Sequence, residues 1–247
     1  MLRRTALLIL ALALYSSTFA AFFTISVKTM ILYPAMDSYS WQSVPNANNG
    51  RSDNFEITSY DKLPFNMRGW IEFNVSRIPT DAWILSSVFQ LRIWHKTLND
   101  TAMGTGDTTG RTYGVYRLTQ PWAELNVNWA NQPNYTEFHS SISTVPPGQG
   151  GWYGPLLWMD WDVTDIVKDW RSGAPNYGLV VRDTQEDASI FYSTQFFTHD
   201  QVPNADYYPR LLVTYLEPIS LALLIVTATA EGLLIAGLWR LKGNPKR

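Results

Sequence analysis

Two largely apolar stretches bracket a long middle section in which apolar and polar positions alternate. Alternation with a period of two marks strands with one buried face. It predicts strands over Ile25–Tyr33, Arg68–Ser76, Trp83–His95, Arg111–Leu118, Leu157–Val163, Tyr177–Val181, Ser189–Thr194 and Arg210–Leu216. In the second of these, Ile71, Phe73 and Val75 share one face while Trp70, Glu72 and Asn74 share the other. In the third, Phe89, Leu91 and Ile93 oppose Gln90, Arg92 and Trp94. Clusters of turn formers at Pro45–Gly50, Met103–Gly110, Val145–Gly151 and Ser172–Pro175 separate these runs. One segment breaks the pattern. Val163, Ile166, Val167 and Trp170 recur at helical spacing, with Asp162 and Asp165 at the start and Gly173 at the end, which predicts a single short capped helix. The expected fold is all-β, an antiparallel jelly-roll β-sandwich with one short helix.

The bracketing stretches carry other signals. Arg3 and Arg4 precede the apolar run Thr5–Tyr15, and Thr18-Phe19-Ala20 has small residues at the two positions that a signal peptidase reads. Residues 1–20 are therefore expected to be an export signal. An uncleaved anchor stays open as the alternative, because apolar character continues through Ala21, Phe22 and Phe23. Ile219–Trp239 is 21 residues long, which spans about 31 Å as a helix and suffices for the hydrocarbon core. Pro218 precedes it, and Arg240, Lys242, Lys246 and Arg247 follow it, so a transmembrane helix over 218–239 with a basic cytoplasmic tail over 240–247 is expected. The ectodomain would then be residues 21–217. Within the span, Ala228, Gly232 and Ala236 form a small-residue face beside Glu231. Two readings stay open there: a helix–helix contact that would make a homo-oligomer, or an acid reaching the inner headgroups.

Composition and charge narrow the partners. Of 247 residues, 46% are hydrophobic and 16% charged, and the net charge is −2. Residues 21–217 hold 13 Lys and Arg against 20 Asp and Glu, a net −7, so no electrostatic footprint for nucleic acid is present. There is no cysteine, which excludes disulfides, a thiolate nucleophile and Cys-ligated metal. His95, His139 and His199 lie far apart without metal-ligand spacing, so no zinc or triad role is expected of them. Asp160, Asp162, Asp165 and Asp169 cluster, but helix capping accounts for two of them, and a glycosidase pair is not expected. No cofactor is expected. A structural calcium ion on the oxygen-bearing residues Asp37, Asn48 and Asp53 is the one metal candidate. Asn74, Asn99 and Asn134 head Asn-X-Ser/Thr sequons; Asn74 falls on the outward face and the other two in loops, so each is a glycosylation candidate.

The motifs Asp37-Ser-Tyr39, Asn49-Gly50 and Arg68-Gly-Trp-Ile-Glu-Phe-Asn-Val-Ser76 go with Pro121-Trp-Ala-Glu-Leu-Asn-Val-Asn-Trp129, Trp161-Asp-Val-Thr-Asp-Ile-Val-Lys-Asp-Trp170 and Pro209-Arg-Leu-Leu-Val-Thr-Tyr215. Together they resemble the DNRLRE domain family, also called carbohydrate-binding module family 96, over roughly residues 33–216. The resemblance implies a jelly-roll sandwich on secreted or surface proteins, some of which bind polysaccharide. It supplies no binding residue. Sugar rings stack on exposed aromatic faces, so Trp70 and Trp94, placed outward by alternation, and Trp41, Trp152 and Tyr153 near loops are the candidate contacts. The rival reading has such tryptophans covered by loops on a second packed face. Three functions follow: a non-catalytic, membrane-anchored surface module that binds glycan or an envelope polymer; a structural or adhesive envelope protein that acts through protein contacts; and, least expected, a surface hydrolase or lyase.

Overall fold

Alternating apolar residues build the strands described by the computed structural model, which covers residues 26–62, 64–99, 110–145, 158–189, 191–200 and 205–217. In chain order these are β1 (Ser26–Leu32), β2 (Pro34–Trp41), β3 (Asn54–Ser59), β4 (Met67–Phe73), β5 (Trp83–Asn99), β6 (Arg111–Leu118), β7 (Tyr135–Val145), β8 (Trp158–Asp162), β9 (Leu179–Asp183), β10 (Phe191–Phe197) and β11 (Arg210–Glu217). One α-helix, α1 (Thr164–Arg171), and two short 3₁₀ turns complete the described elements. The described residues divide into two units: 26–28, Asp81–Trp83 and 216–217 belong to one, and Thr29–Thr80 with Ile84–Tyr215 form the other, which is compact. Both candidate sites described below lie in the second unit.

The expected all-β antiparallel architecture with one short helix is present. The sheet runs β1-β11-β5-β10-β3-β4-β9-β6-β7, with β2 added on β4 and β8 on β5. Strand β5 is 17 residues long and changes partner along its length. Its Val88–Arg92 stretch pairs antiparallel with β8, and its Ile93–Asn99 stretch pairs antiparallel with β10. A register shift at Gln195/Phe196 accompanies the change, as a bulge does where a strand bends from one layer to the next.

The inward faces meet in an aromatic core. Phe55, Ile57, Ile71, Phe73, Phe89, Leu91, Trp161 and Phe196 are all fully buried. Phe89 stacks on Trp161 at 5.4 Å and meets Phe73 edge-on at 5.7 Å, geometries that add to simple area burial. The indole N–H of Trp161 donates to the carbonyl of Tyr113 at 3.0 Å, so its one polar atom is satisfied. Helix α1 closes against this core with Ile166, Val167 and Trp170. Asp162 Oδ1 accepts from the Thr164 N–H at 2.9 Å. At the other end Gly173 has φ +107°, and Ala174 N–H donates back to the Asp169 carbonyl at 3.0 Å. That left-handed C-terminal cap favours glycine.

Three strands escape the alternation argument. β2 and β3 bury polar residues (Asp37, Ser38, Ser40, Thr58, Ser59), and β7 ends the sheet with exposed or half-buried positions up to Val145. Residue Asn99 is the last residue of β5, not part of a loop as expected. The expected export signal (1–20), membrane span (218–239), cytoplasmic tail (240–247), Ala228, Glu231, Gly232 and Ala236 lie outside the described residues. No described helix is long and apolar enough to cross a membrane.

Candidate functional site

Alternation on three strands puts one set of side chains on the outer face of β5, β8 and β11. With Phe89 and Leu91 buried, Gln90, Arg92 and Trp94 of β5 turn outward. On β8, Met159 and Trp161 are buried and Trp158 and Asp160 point the other way. Register sets Gln90 opposite Asp160 and Arg92 opposite Trp158, and cross-strand neighbours of this kind touch. The Arg210 guanidinium lies 4.0 Å from the Trp158 ring centroid, and Arg92 lies 4.1 Å from the Tyr207 ring and 5.8 Å from Trp158. Arg210 Nε donates to Gln90 Oε1 at 2.6 Å, and Gln90 Nε2 donates to Asp160 Oδ1 at 2.7 Å. Trp94 stacks on Phe197 at 5.8 Å, and Phe197 contacts Tyr207 at 5.0 Å. Trp94, Trp158 and Tyr207 remain half-buried. The outcome is a continuous platform of aromatic rings threaded with guanidinium groups. Arg92 Nε is buried there without a hydrogen-bond partner among the described residues.

The other sequence-predicted aromatics fare differently. Trp70 is fully buried, which corrects its expected outward exposure. It does face away from the main core, but a second small core covers that face. Trp70 packs with Leu118, Val127 and Val180, and Tyr116, Trp122, Tyr135 and Tyr177 close around them. Its indole N–H donates to Ser40 Oγ at 3.1 Å. The rival reading, a loop-covered second face, therefore holds for Trp70. Trp41 is half-buried, edge-on to Phe65 at 5.0 Å. Trp152 and Tyr153 lie outside the described residues. Trp158, Tyr207, Arg92 and Arg210 were not singled out by sequence. The signal for Trp158 was available: it sits three residues from Trp161, so a strand must put them on opposite faces.

The loop over 119–134 that buries Trp70 is held by asparagine. Asn48 Nδ2 donates to the carbonyls of Glu124 (2.7 Å) and Val127 (2.8 Å). A Cβ on Gly50 would lie 2.2 Å from the Glu124 carbonyl oxygen, so the loop can settle there only over glycine. Asn48 is thus a loop anchor. Asp53 is exposed, and its carbonyl accepts from Thr198 N–H at 3.3 Å. Asp53 is not among the acidic and histidine side chains that gather around Asp37.

Asp37 instead meets residues far from it in sequence. One ligand atom each of Asp37, Glu124, His199 and Asp200 lies within 4.8 Å of the other three. The Asp37 carboxylate is 1% exposed. Its Oδ2 accepts from the His199 backbone N–H at 2.8 Å and lies 3.0 Å from His199 Nδ1. That second contact is a close ion pair. Glu124 Oε1 accepts from the Asp37 backbone N–H at 3.0 Å and lies 3.7 Å from His199 Nε2, with Asp200 Oδ1 at 4.0 Å. The contact with Asp37 lifts the His199 imidazole to about 9 against the opposing effect of burial, helped by the charges of Asp37, Asp200 and Glu124. Burial pushes the Asp37 carboxyl above its ordinary value, and His199 pulls it back. Asp37 Oδ1 and Asp200 Oδ2 are buried with no hydrogen-bond partner among the described residues. Each such orphan oxygen costs about 1–3 kcal/mol.

The clustered aspartates all have structural partners: Asp160 with Gln90, Asp162 with Thr164, Asp165 with Lys168, and Asp169 with Arg117 and His139. Of the sequons, Asn74 is exposed and its Oδ1 accepts from Ser76 N–H at 3.0 Å. Asn134 is exposed just before β7.

The family model of carbohydrate-binding module family 96 matches residues 28–207. None of the curated proteins matches the chain.

Proposed function

Because the chain belongs to carbohydrate-binding module family 96, we propose that it is a non-catalytic surface module that binds polysaccharide on the outer face of β5, β8 and β11. The platform of Trp94, Trp158 and Tyr207 with Arg92 and Arg210 carries this reading. Sugars present apolar C–H faces ringed by hydroxyls. A flat aromatic surface takes the first, and fixed polar groups beside it take the second. Guanidinium forks add paired donors that suit hydroxyl and carboxylate oxygens. Asp160 and Gln90 supply acceptors at the same edge.

Anchoring at the cell surface belongs to the same proposal. Its support is the apolar run Ile219–Trp239 followed by Arg240, Lys242, Lys246 and Arg247. A cell-envelope polymer is then the target within reach. The test is a pull-down of the purified full-length protein on insoluble envelope polysaccharides, with neutral and uronic-acid polymers compared. Wild type is retained, while Trp158→Ala and Trp94→Ala lose retention with a smaller loss of thermal stability than Trp70→Ala. Retention of both variants at the wild-type level would move the site off this face.

A further inference from the structure

The structure holds a second feature that sugar binding does not use: the cluster of Asp37, Glu124, His199 and Asp200. We propose that these four residues bind one divalent metal ion of the kind that accepts imidazole, such as Zn²⁺ or Mn²⁺, and that the ion locks the loop over 119–134 and the end of β10 onto β2.

Three observations carry this. First, the donor set converges: one atom from each residue lies within 4.8 Å of the others, the span that ligands of a single ion occupy. Second, Asp37 is 1% exposed, and its Oδ1 has no hydrogen-bond partner among the described residues. The buried Asp200 Oδ2 is orphaned in the same cluster. Buried carboxylate oxygens take donors or metal, and His199, one cation among three carboxylates, leaves both of these without one. Third, the four come from three separate places: Asp37 on β2, Glu124 in the covering loop, and His199 and Asp200 just after β10. An ion shared by them would add to the hydrogen bonds that already join these segments, Asp37 N–H to Glu124 Oε1 and His199 N–H to Asp37 Oδ2.

The donor chemistry decides the class of ion. Calcium takes six to eight oxygens, whereas one imidazole with carboxylates suits zinc or manganese. The calcium trio expected from sequence shares Asp37 with this set, whereas Asp53 is not in it and Asn48 spends its amide nitrogen on the Glu124 and Val127 carbonyls. The proposal does not depend on the sugar-binding reading, since none of the four residues belongs to the platform.

The test uses full-length protein in detergent, stripped with EDTA and then followed by thermal unfolding and calorimetric titration with Zn²⁺, Mn²⁺, Ca²⁺ or Mg²⁺ alone. Zn²⁺ or Mn²⁺ should raise Tm by about 5 °C near saturation and titrate to one ion per chain. Glu124→Gln and Asp200→Asn, both at the partly exposed rim, should fold without metal and weaken binding about tenfold or more. His199→Gln should do the same for Zn²⁺. Asp165→Asn, on the solvated side of α1, should bind as wild type. No stabilisation by either ion, stabilisation by Ca²⁺ alone, or stabilisation that persists in the rim variants would overturn the proposal.

Discussion

The guanidinium of Arg210 lies 4.0 Å from the ring centroid of Trp158, although the two residues stand on strands β11 and β8 with β5 between them. The stack fixes the indole plane before any ligand arrives. Arg210 also donates to Gln90, which donates to Asp160, so one polar chain crosses the face beside the ring. Arg210→Lys keeps the charge but loses the planar stack and the fork. It should weaken polysaccharide retention several-fold while leaving Tm within about 2 °C of wild type, as checked by affinity electrophoresis beside a melting curve.

Trp70 and Trp94 should separate stability from binding. Trp70 is fully buried in the second small core and donates to Ser40. Trp70→Ala should cost about 3–5 kcal/mol of unfolding free energy, with retention unchanged under conditions where the variant is folded. Trp94 is half-buried against Phe197, so Trp94→Ala should cost less and lose retention. Denaturant unfolding paired with the pull-down reads both.

In EDTA the fold should weaken on the alkaline side. His199 has an ordinary value of 6.5 and is lifted to about 9 in the folded chain. The folded state thus holds this proton more tightly than the unfolded state. The stability it contributes is fully present below pH 6.5 and is lost as pH rises through about 9. His199→Gln should lack this alkaline loss. Melting curves of both proteins across that window decide, and parallel curves would remove His199 from the account.

Arg111 and Asp183 form a second buried ion pair, with side chains 7% and 1% exposed. Arg111 also donates to the Gln185 carbonyl at 2.6 Å and lies 4.0 Å from the Tyr192 ring. Burial pushes the Asp183 carboxyl up, and Arg111 opposes this. Arg111→Met strands a buried carboxylate and should cost about 3–5 kcal/mol. Adding Asp183→Leu should recover much of that loss, because the uncompensated charge is what costs most. A double-mutant cycle in urea measures it.

The sequence by itself determined the class of fold, because side-chain alternation is a local property of a strand. Ile71 with Phe73, Phe89 with Leu91, and the helical set Val163, Ile166, Val167 and Trp170 all turn inward as their spacing requires. It also determined the helix's C-terminal end, through Gly173. At the other end the cap position is Val163, one residue after the expected Asp162, whose carboxylate accepts from the Thr164 N–H from the end of β8. Two matters waited for the tertiary structure. Whether an outward residue meets solvent depends on what a distant loop does, so Trp70 is buried under residues 119–134 while Trp94 keeps part of its surface. Which titratable groups share a site depends on how strands pair, so Asp37 meets Glu124, His199 and Asp200 rather than the nearer acid Asp53. Local pattern fixes the direction of a side chain; long-range packing fixes its company, and both candidate sites of this protein are matters of company.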